Sequence, residues 1–111
     1  MKAAPLSILL FGIILSGAVQ AEVKVGERLA HDVCTTCHIV RPGQEVQPVY
    51  GNELASFEHI ANRRDFNRSW LEDFLKNKHA SRTNPTGMPD LRLTHEQIGD
   101  VYDYLATLRK R

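Results

Sequence analysis

The sequence has almost no net charge. Its 14 Lys and Arg residues are almost balanced by 13 Asp and Glu residues over 111 positions, so there is no broad positive field to attract nucleic acid or acidic lipid. Basic residues do cluster at positions 63, 64 and 68 and again at 109–111, and we interpret these clusters as solvated helix faces and a chain end. Nucleic acid is therefore not an expected partner.

The sequence also lacks the two-residue alternation of apolar and polar side chains that is typical of a half-buried strand. Apolar residues recur at helical spacing instead, and residues 41–51, with their prolines and glycines, predict a loop. We therefore predict a single all-α domain. A chain this short builds a small core, which a buried prosthetic group would stabilise.

A long apolar run occurs only at the N terminus. Residues 3–19 are almost uninterrupted in apolar character, follow the positive start Met1-Lys2, and lead to small residues ending at Ala21. This layout predicts a signal peptide over residues 1–21 and a mature domain over 22–111. The alternative is an uncleaved membrane anchor, because the run is only slightly shorter than the roughly 20 residues that span a bilayer.

Three helices are predicted from apolar spacing and capping residues. Val25, Leu29 and Val33 form a thin stripe on the first, where Gly26 would permit another helix to cross closely. The second begins with a capping box of Ser69 and Glu72 and ends near Lys78; its apolar residues are Trp70, Leu71, Phe74 and Leu75. The terminal helix begins with a capping box of Thr94 and Gln97; its apolar face is Ile98, Val101, Tyr102, Leu105 and Leu108.

Cysteine is scarce, and both residues occur in one pentapeptide, Cys34-Thr35-Thr36-Cys37-His38. This is the spacing of c-type haem attachment. Two thiols can reach the two vinyl groups of one porphyrin, while the next imidazole ligates the iron. A disulfide, a redox-active pair and half of a zinc site are the alternatives. Zinc lacks a second cysteine pair here, and the strand and helix context of a thioredoxin-like pair is absent.

Methionine is equally scarce: Met88 is the only one outside the predicted leader. It lies in a turn-forming stretch where Gly87 allows close backbone approach and Pro89 restricts the backbone. We predict that its thioether is the second axial ligand of the haem iron, as suits an iron that passes electrons.

The remaining histidines are the competing axial ligands: His31, His59, His79 and His95. Among them His79 is the strongest competitor, because it lies nine residues before Met88. His31 and His95 are expected at helix starts or on polar faces.

Over nearly all of residues 22–111 the sequence resembles the class I cytochromes c. The features that carry the resemblance are a first helix with Gly26, Cys34-x-x-Cys37-His38, a glycine and proline loop, Met88-Pro89 and a terminal helix with Tyr104-Leu105. The resemblance implies about four helices wrapped around one covalently bound haem c, with the iron held by His38 and Met88.

The resemblance also implies how the helices pack. The first and last helices would cross at Gly26, against Val101 and Tyr104. Members of the family often have an aromatic residue where this chain has Ala30, so a looser crossing, or one filled by Tyr102, is expected.

Two further roles follow from the same resemblance. A proline in the loop after the ligating histidine commonly backs that ligand, which would be Pro42 or Pro48 behind His38. Trp70 would be either the aromatic residue that packs on the haem or an ordinary core tryptophan.

The predicted function is electron transfer in the bacterial periplasm, with transient redox protein partners and no catalysis. A six-coordinate iron offers no open position for a substrate. The alternatives are a five-coordinate haem enzyme or gas sensor in which Met88 is not a ligand, and a haem-free module with a disulfide. Within electron transfer, the chain could be the cytochrome subunit of a periplasmic dehydrogenase or a sulfur-oxidising complex.

Overall fold

The computed structural model describes residues 2–3, 14–49, 51, 54–79 and 91–111, and all of its regular structure is helical. The helices are α1, Ile14–Cys34; α2, Phe57–Ala61; α3, Arg68–Asp73, continued by a π-helical segment, Phe74–Lys78; and α4, His95–Thr107. The prediction of an all-α domain is confirmed, with no strand in these ranges. No helix among the described residues is long and apolar enough to cross a membrane. Residues 1 and 4–13 of the predicted leader lie outside them.

Helix α1 packs most extensively against α4, and Gly26 is the point of closest approach. A Cβ atom on Gly26 would overlap the backbone carbonyl of Asp100 and lie 3.1 Å from Cβ of Tyr104. Tyr104 is thus the neighbour that was expected, and Asp100 replaces Val101 as the nearest backbone. One turn along α1, Ala30 is completely buried. Its small side chain lets the two helix backbones remain close.

The core surrounds this crossing. Its buried apolar residues are Ala30, Val40, Phe57, Ala61, Phe66, Leu71, Ile98, Val101, Tyr104 and Leu105. The ring of Tyr102, which was expected to fill the crossing, stacks on Phe66 with centroids 5.3 Å apart. The core thus joins α4 to every other helix.

The two predicted capping boxes have different outcomes. At the start of α4, Thr94 accepts from the backbone N–H of Gln97 while the Gln97 side chain accepts from the N–H of Thr94, as predicted. The box at Ser69 is wrong, because α3 begins two residues earlier. The side chain of Asn67 accepts a hydrogen bond from the N–H of Trp70 and caps the helix. Asparagine is favoured at this position because, like serine, it accepts a hydrogen bond from an N–H group of the first turn.

The predicted loop after the cysteine motif is held by buried polar contacts. Gln44 is buried; its side-chain oxygen accepts from the N–H of Val40 at 2.9 Å, and its amide donates to the carbonyl of Val46 at 2.7 Å. The hydroxyl of Tyr104 donates to the carbonyl of Val40 at 2.5 Å. Both backbone groups of Val40 are therefore paired, and this segment is fixed to α4.

Glu72 joins the end of α3 to the start of α4. Its Oε1 accepts hydrogen bonds from Nζ of Lys76 at 2.6 Å and from Nδ1 of His95 at 2.7 Å. The bond from Lys76, followed by that from His95, lowers the pKa of the Glu72 carboxyl from 4.5 to about 2. This contact joins α3 to α4, the helices that precede and follow residues 80–90 in the sequence.

Replacing Gly26 tests the crossing. In Gly26→Ala we expect a loss of about 2 kcal/mol in the free energy of unfolding, because overpacking against backbone outweighs the better helix propensity of alanine. Gly99→Ala is the control, since its new methyl group would meet only the flexible guanidinium of Arg68. Chemical denaturation followed by circular dichroism measures both. Equal effects of the two variants would contradict the crossing.

The Tyr104 hydrogen bond gives a second test. Tyr104→Phe leaves the buried carbonyl of Val40 without its donor, and we expect a loss of about 1–2 kcal/mol. Tyr102→Phe is the matched control, because its hydroxyl makes no hydrogen bond among the described residues, and a change within about 0.5 kcal/mol is expected. Denaturant titrations of both variants decide; a neutral Tyr104→Phe would refute the role of this bond.

The lowered pKa of Glu72 predicts a pH dependence. A carboxyl whose folded pKa lies below its ordinary value stabilises the fold above about pH 4.5, and this contribution disappears as the pH falls toward 2. The difference in melting temperature between the unmodified chain and Glu72→Gln should therefore be positive at pH 7 and shrink between pH 4.5 and pH 2.5. Thermal melts at several pH values measure it. A difference that does not change with pH would contradict the prediction.

Candidate functional site

Residues of α1, α2, α3 with its π-helical continuation, and α4 line an apolar cavity of about 220 Å³. Its wall includes Cys34 and His38 at the end of α1, Phe57 on α2, Trp70 on α3, His79 after the π-helical segment and Leu105 on α4. Apolar and aromatic side chains make up most of the remainder. Such a cavity suits a large apolar group with a few polar anchors.

The cysteine motif forms the turn that ends α1. The N–H groups of Cys37 and His38 both donate to the carbonyl of Cys34, at 3.1 and 2.8 Å, so the chain reverses tightly after the last helical residue. The loop packs back on this turn, where the N–H of Val49 donates to the carbonyl of Thr36 at 2.9 Å. The local folding therefore holds the two cysteines and the histidine in one turn, from which Cys34 and His38 line the cavity.

The thiol of Cys34 is largely shielded and lines the cavity. Burial, and to a smaller extent the neighbouring Cys37, raises the pKa of Cys34 to about 11. In the absence of a bound group this thiol is therefore protonated at neutral pH. Within the described residues no group of three or more His, Cys, Asp and Glu side chains is arranged to hold a metal ion. The zinc alternative finds no support in this geometry.

His38 has a defined orientation. Its Nδ1 lies 2.7 Å from the carbonyl oxygen of Ala55, and since a carbonyl can only accept, Nδ1 carries the proton. The neutral ring then keeps its lone pair on Nε2, the form in which imidazole binds a metal. The ring of Phe57 packs against it with centroids 5.9 Å apart.

Neither of the expected prolines accepts the hydrogen bond from Nδ1 of His38. The carbonyl of Pro48 accepts from the N–H of Gly51 at 2.9 Å, and Pro42 is exposed in the loop. The partner of His38 is Ala55, which sequence reasoning missed. No residue type could have signalled it, because every residue carries a backbone carbonyl.

Trp70 lies between the cavity and the neighbouring aromatic side chains. It lines the cavity, and it also stacks on Phe74 with centroids 5.3 Å apart and meets the edge of Phe66 at 6.2 Å. The guanidinium of Arg63 lies 5.0 Å from the centre of its ring. The tryptophan is thus part of an aromatic wall that is fixed from both sides.

The structure separates the other histidines into two groups. His31 and His95 are exposed, as predicted, beside Asp32 and Glu72. His59 is exposed yet contributes to the cavity wall, whereas His79 is buried and lines the same cavity. The predicted ligand Met88 lies outside the described residues.

The side chains present fit a covalently attached haem. Cys34 and an imidazole with its lone pair on Nε2 line one mainly apolar cavity, and Cys37 lies in the same turn beside them. These are the attachment groups, the proximal ligand type and the surroundings that c-type haem uses.

Comparison with known proteins agrees with this geometry. A family model described as cytochrome c matches residues 23–109. The chain is 33% identical over 94 residues to cytochrome c-552 of Bradyrhizobium diazoefficiens, an alignment that covers 85% of this chain and 82% of that protein. No solved structure gives a significant match.

The match over most of the chain, together with the cavity and the cysteine motif, identifies the cofactor as covalently attached haem c. Members of the matched family carry electrons on that haem and exchange them with redox partners. The chain belongs to the cytochrome c family and is an electron-transfer haem protein.

Proposed function

We propose that this chain is a periplasmic carrier of single electrons whose haem is attached through Cys34 and Cys37 and ligated axially by His38 and Met88. The observation that carries the proposal is the hydrogen bond from Nδ1 of His38 to the carbonyl of Ala55, which fixes the tautomer in which Nε2 can ligate iron. The haem supplies reversible iron valence when it is bound. The chain determines how the axial ligand is oriented and how polar the surroundings of the haem are.

The polypeptide keeps the ligand still and the surroundings apolar. The 2.7 Å hydrogen bond and the contact with Phe57 restrict rotation of the imidazole, so its geometry changes little between redox states. The apolar wall excludes water and disfavours the extra charge of the oxidised form, which raises the reduction potential; a thioether ligand raises it further. These properties suit a carrier rather than an enzyme, which needs an open coordination position.

Location and partners follow from the N terminus and from the expected role. We propose that residues 1–21 are removed after export and that residues 22–111 form the mature carrier; the family match beginning at residue 23 agrees with this division. Partners are redox proteins that bind weakly and briefly through small interfaces. A larger periplasmic dehydrogenase is one such partner, and co-purification with a catalytic subunit would support it.

An optical spectrum tests the proposal. In protein produced with a haem-attachment system we expect a sharp α band on reduction and, when oxidised, the weak red charge-transfer band of methionine ligation. The reduced protein should resist carbon monoxide at neutral pH.

The intact mass should show one covalently bound haem, and N-terminal sequencing of the mature protein should begin at Glu22.

Variants assign the residues. Met88→Ala should lose the charge-transfer band while the haem stays attached, and Cys34→Ser should lose one thioether bond without changing the other. A haem that binds carbon monoxide at once in the unmodified protein would instead favour an enzyme or gas sensor. A colourless protein without added mass would overturn the proposal.

A further inference from the structure

One buried titratable side chain in the described wall of the cavity has no role in the proposed electron carrier. His79 is 7% exposed and lines the same cavity as His38. Its ring meets Phe74 edge-on, with centroids 5.9 Å apart. A buried histidine in the wall of a cavity that takes haem is a potential iron ligand.

The helix departs from regular geometry at the residues that place His79 there. Residues Phe74–Lys78 are π-helical, and the N–H of His79 donates to the carbonyl of Phe74, five residues back, at 2.7 Å. Segments of π-helix are rare and are frequently found at functional sites.

The extra residue in this turn changes which side chain faces the core. In a continuous α-helix, Lys78 would point within about 20° of the buried Leu71, and His79 about 80° away. A single π-helical turn shifts this phase by about one residue, which moves His79 into the inward direction. Accordingly His79 is buried, whereas the side chain of Lys78 is 64% exposed and pairs with Asp73 at 3.4 Å.

We propose that His79 is a second, internal axial ligand, which binds the haem iron when Met88 is displaced. This inference rests on the proposed function, because it requires the haem of that site. Bis-histidine ligation lowers the reduction potential relative to histidine and methionine. Exchange between Met88 and His79 would therefore give one chain two potentials, and it would keep the sixth position closed to external ligands.

His59 provides the matched comparison. It contributes to the same cavity wall, but it is exposed, and its position at the start of α2 is set by the Ser56 cap. If any nearby histidine could reach the iron, His59 would do so as well. If burial and the π-helical turn determine which histidine can ligate the iron, only His79 binds it.

The experiment removes Met88 and then each histidine. In haem-loaded Met88→Ala we expect a low-spin ferric spectrum by electron paramagnetic resonance, a reduction potential below that of the unmodified protein, and slow binding of carbon monoxide. Met88→Ala with His59→Ala should behave in the same way. Met88→Ala with His79→Ala should become high-spin and bind carbon monoxide at least about tenfold faster.

Two outcomes overturn the inference: a high-spin Met88→Ala variant, or a low-spin state that survives removal of His79. In either case the unmodified protein can retain its methionine band, so the proposed function stands. Conversely, an unmodified protein that lacks this band and becomes high-spin in His79→Ala refutes ligation by Met88 and supports ligation by His79. Circular dichroism of each variant shows whether the fold is intact.

Discussion

The close approach of α1 and α4 at Gly26 is the constraint on which the rest of this structure depends. Because no side chain separates the helices there, α4 can place Leu105 in the cavity wall while α1 ends at the same cavity with Cys34. Tyr104, which packs against Gly26, also donates to the carbonyl of Val40 and so fixes the segment that follows His38. One contact between backbones therefore affects both the shape of the cavity and the position of the segment that follows His38.

The cavity explains how a chain of this size can fold stably. In the part of the chain that the structure describes, ten buried apolar residues form a small core, and further apolar side chains face the cavity. A short chain buries a limited share of its surface, so a large apolar cofactor contributes an important part of the interior. The proposed covalent bonds at Cys34 and Cys37 would keep that part in place. We therefore expect cofactor attachment and folding to be strongly coupled in this protein.

Features that depend on neighbouring residues could be predicted from the sequence. The cysteine motif, the Thr94 capping box and the permissive Gly26 are local patterns, and the structure bears out the box and the close crossing. The cap at Asn67 was missed because asparagine and serine satisfy the same N–H groups, and spacing alone does not choose between them. The Ala55 carbonyl was not predictable, because it comes from a backbone 17 residues away whose path is set by tertiary packing.

His79 shows the limit of helical periodicity most clearly. Counting residues at 3.6 per turn places Lys78 inward, where its ammonium group would lose hydration without a partner. The π-helical turn avoids this by leaving Lys78 beside Asp73 in solvent and turning the imidazole of His79 toward the cavity. Sequence distance alone had suggested His79 as a competitor of Met88, but only the phase of the helix accounts for its burial. The irregular turn thus keeps the charged side chain of Lys78 in solvent and places in the cavity wall the imidazole that we propose as a second axial ligand.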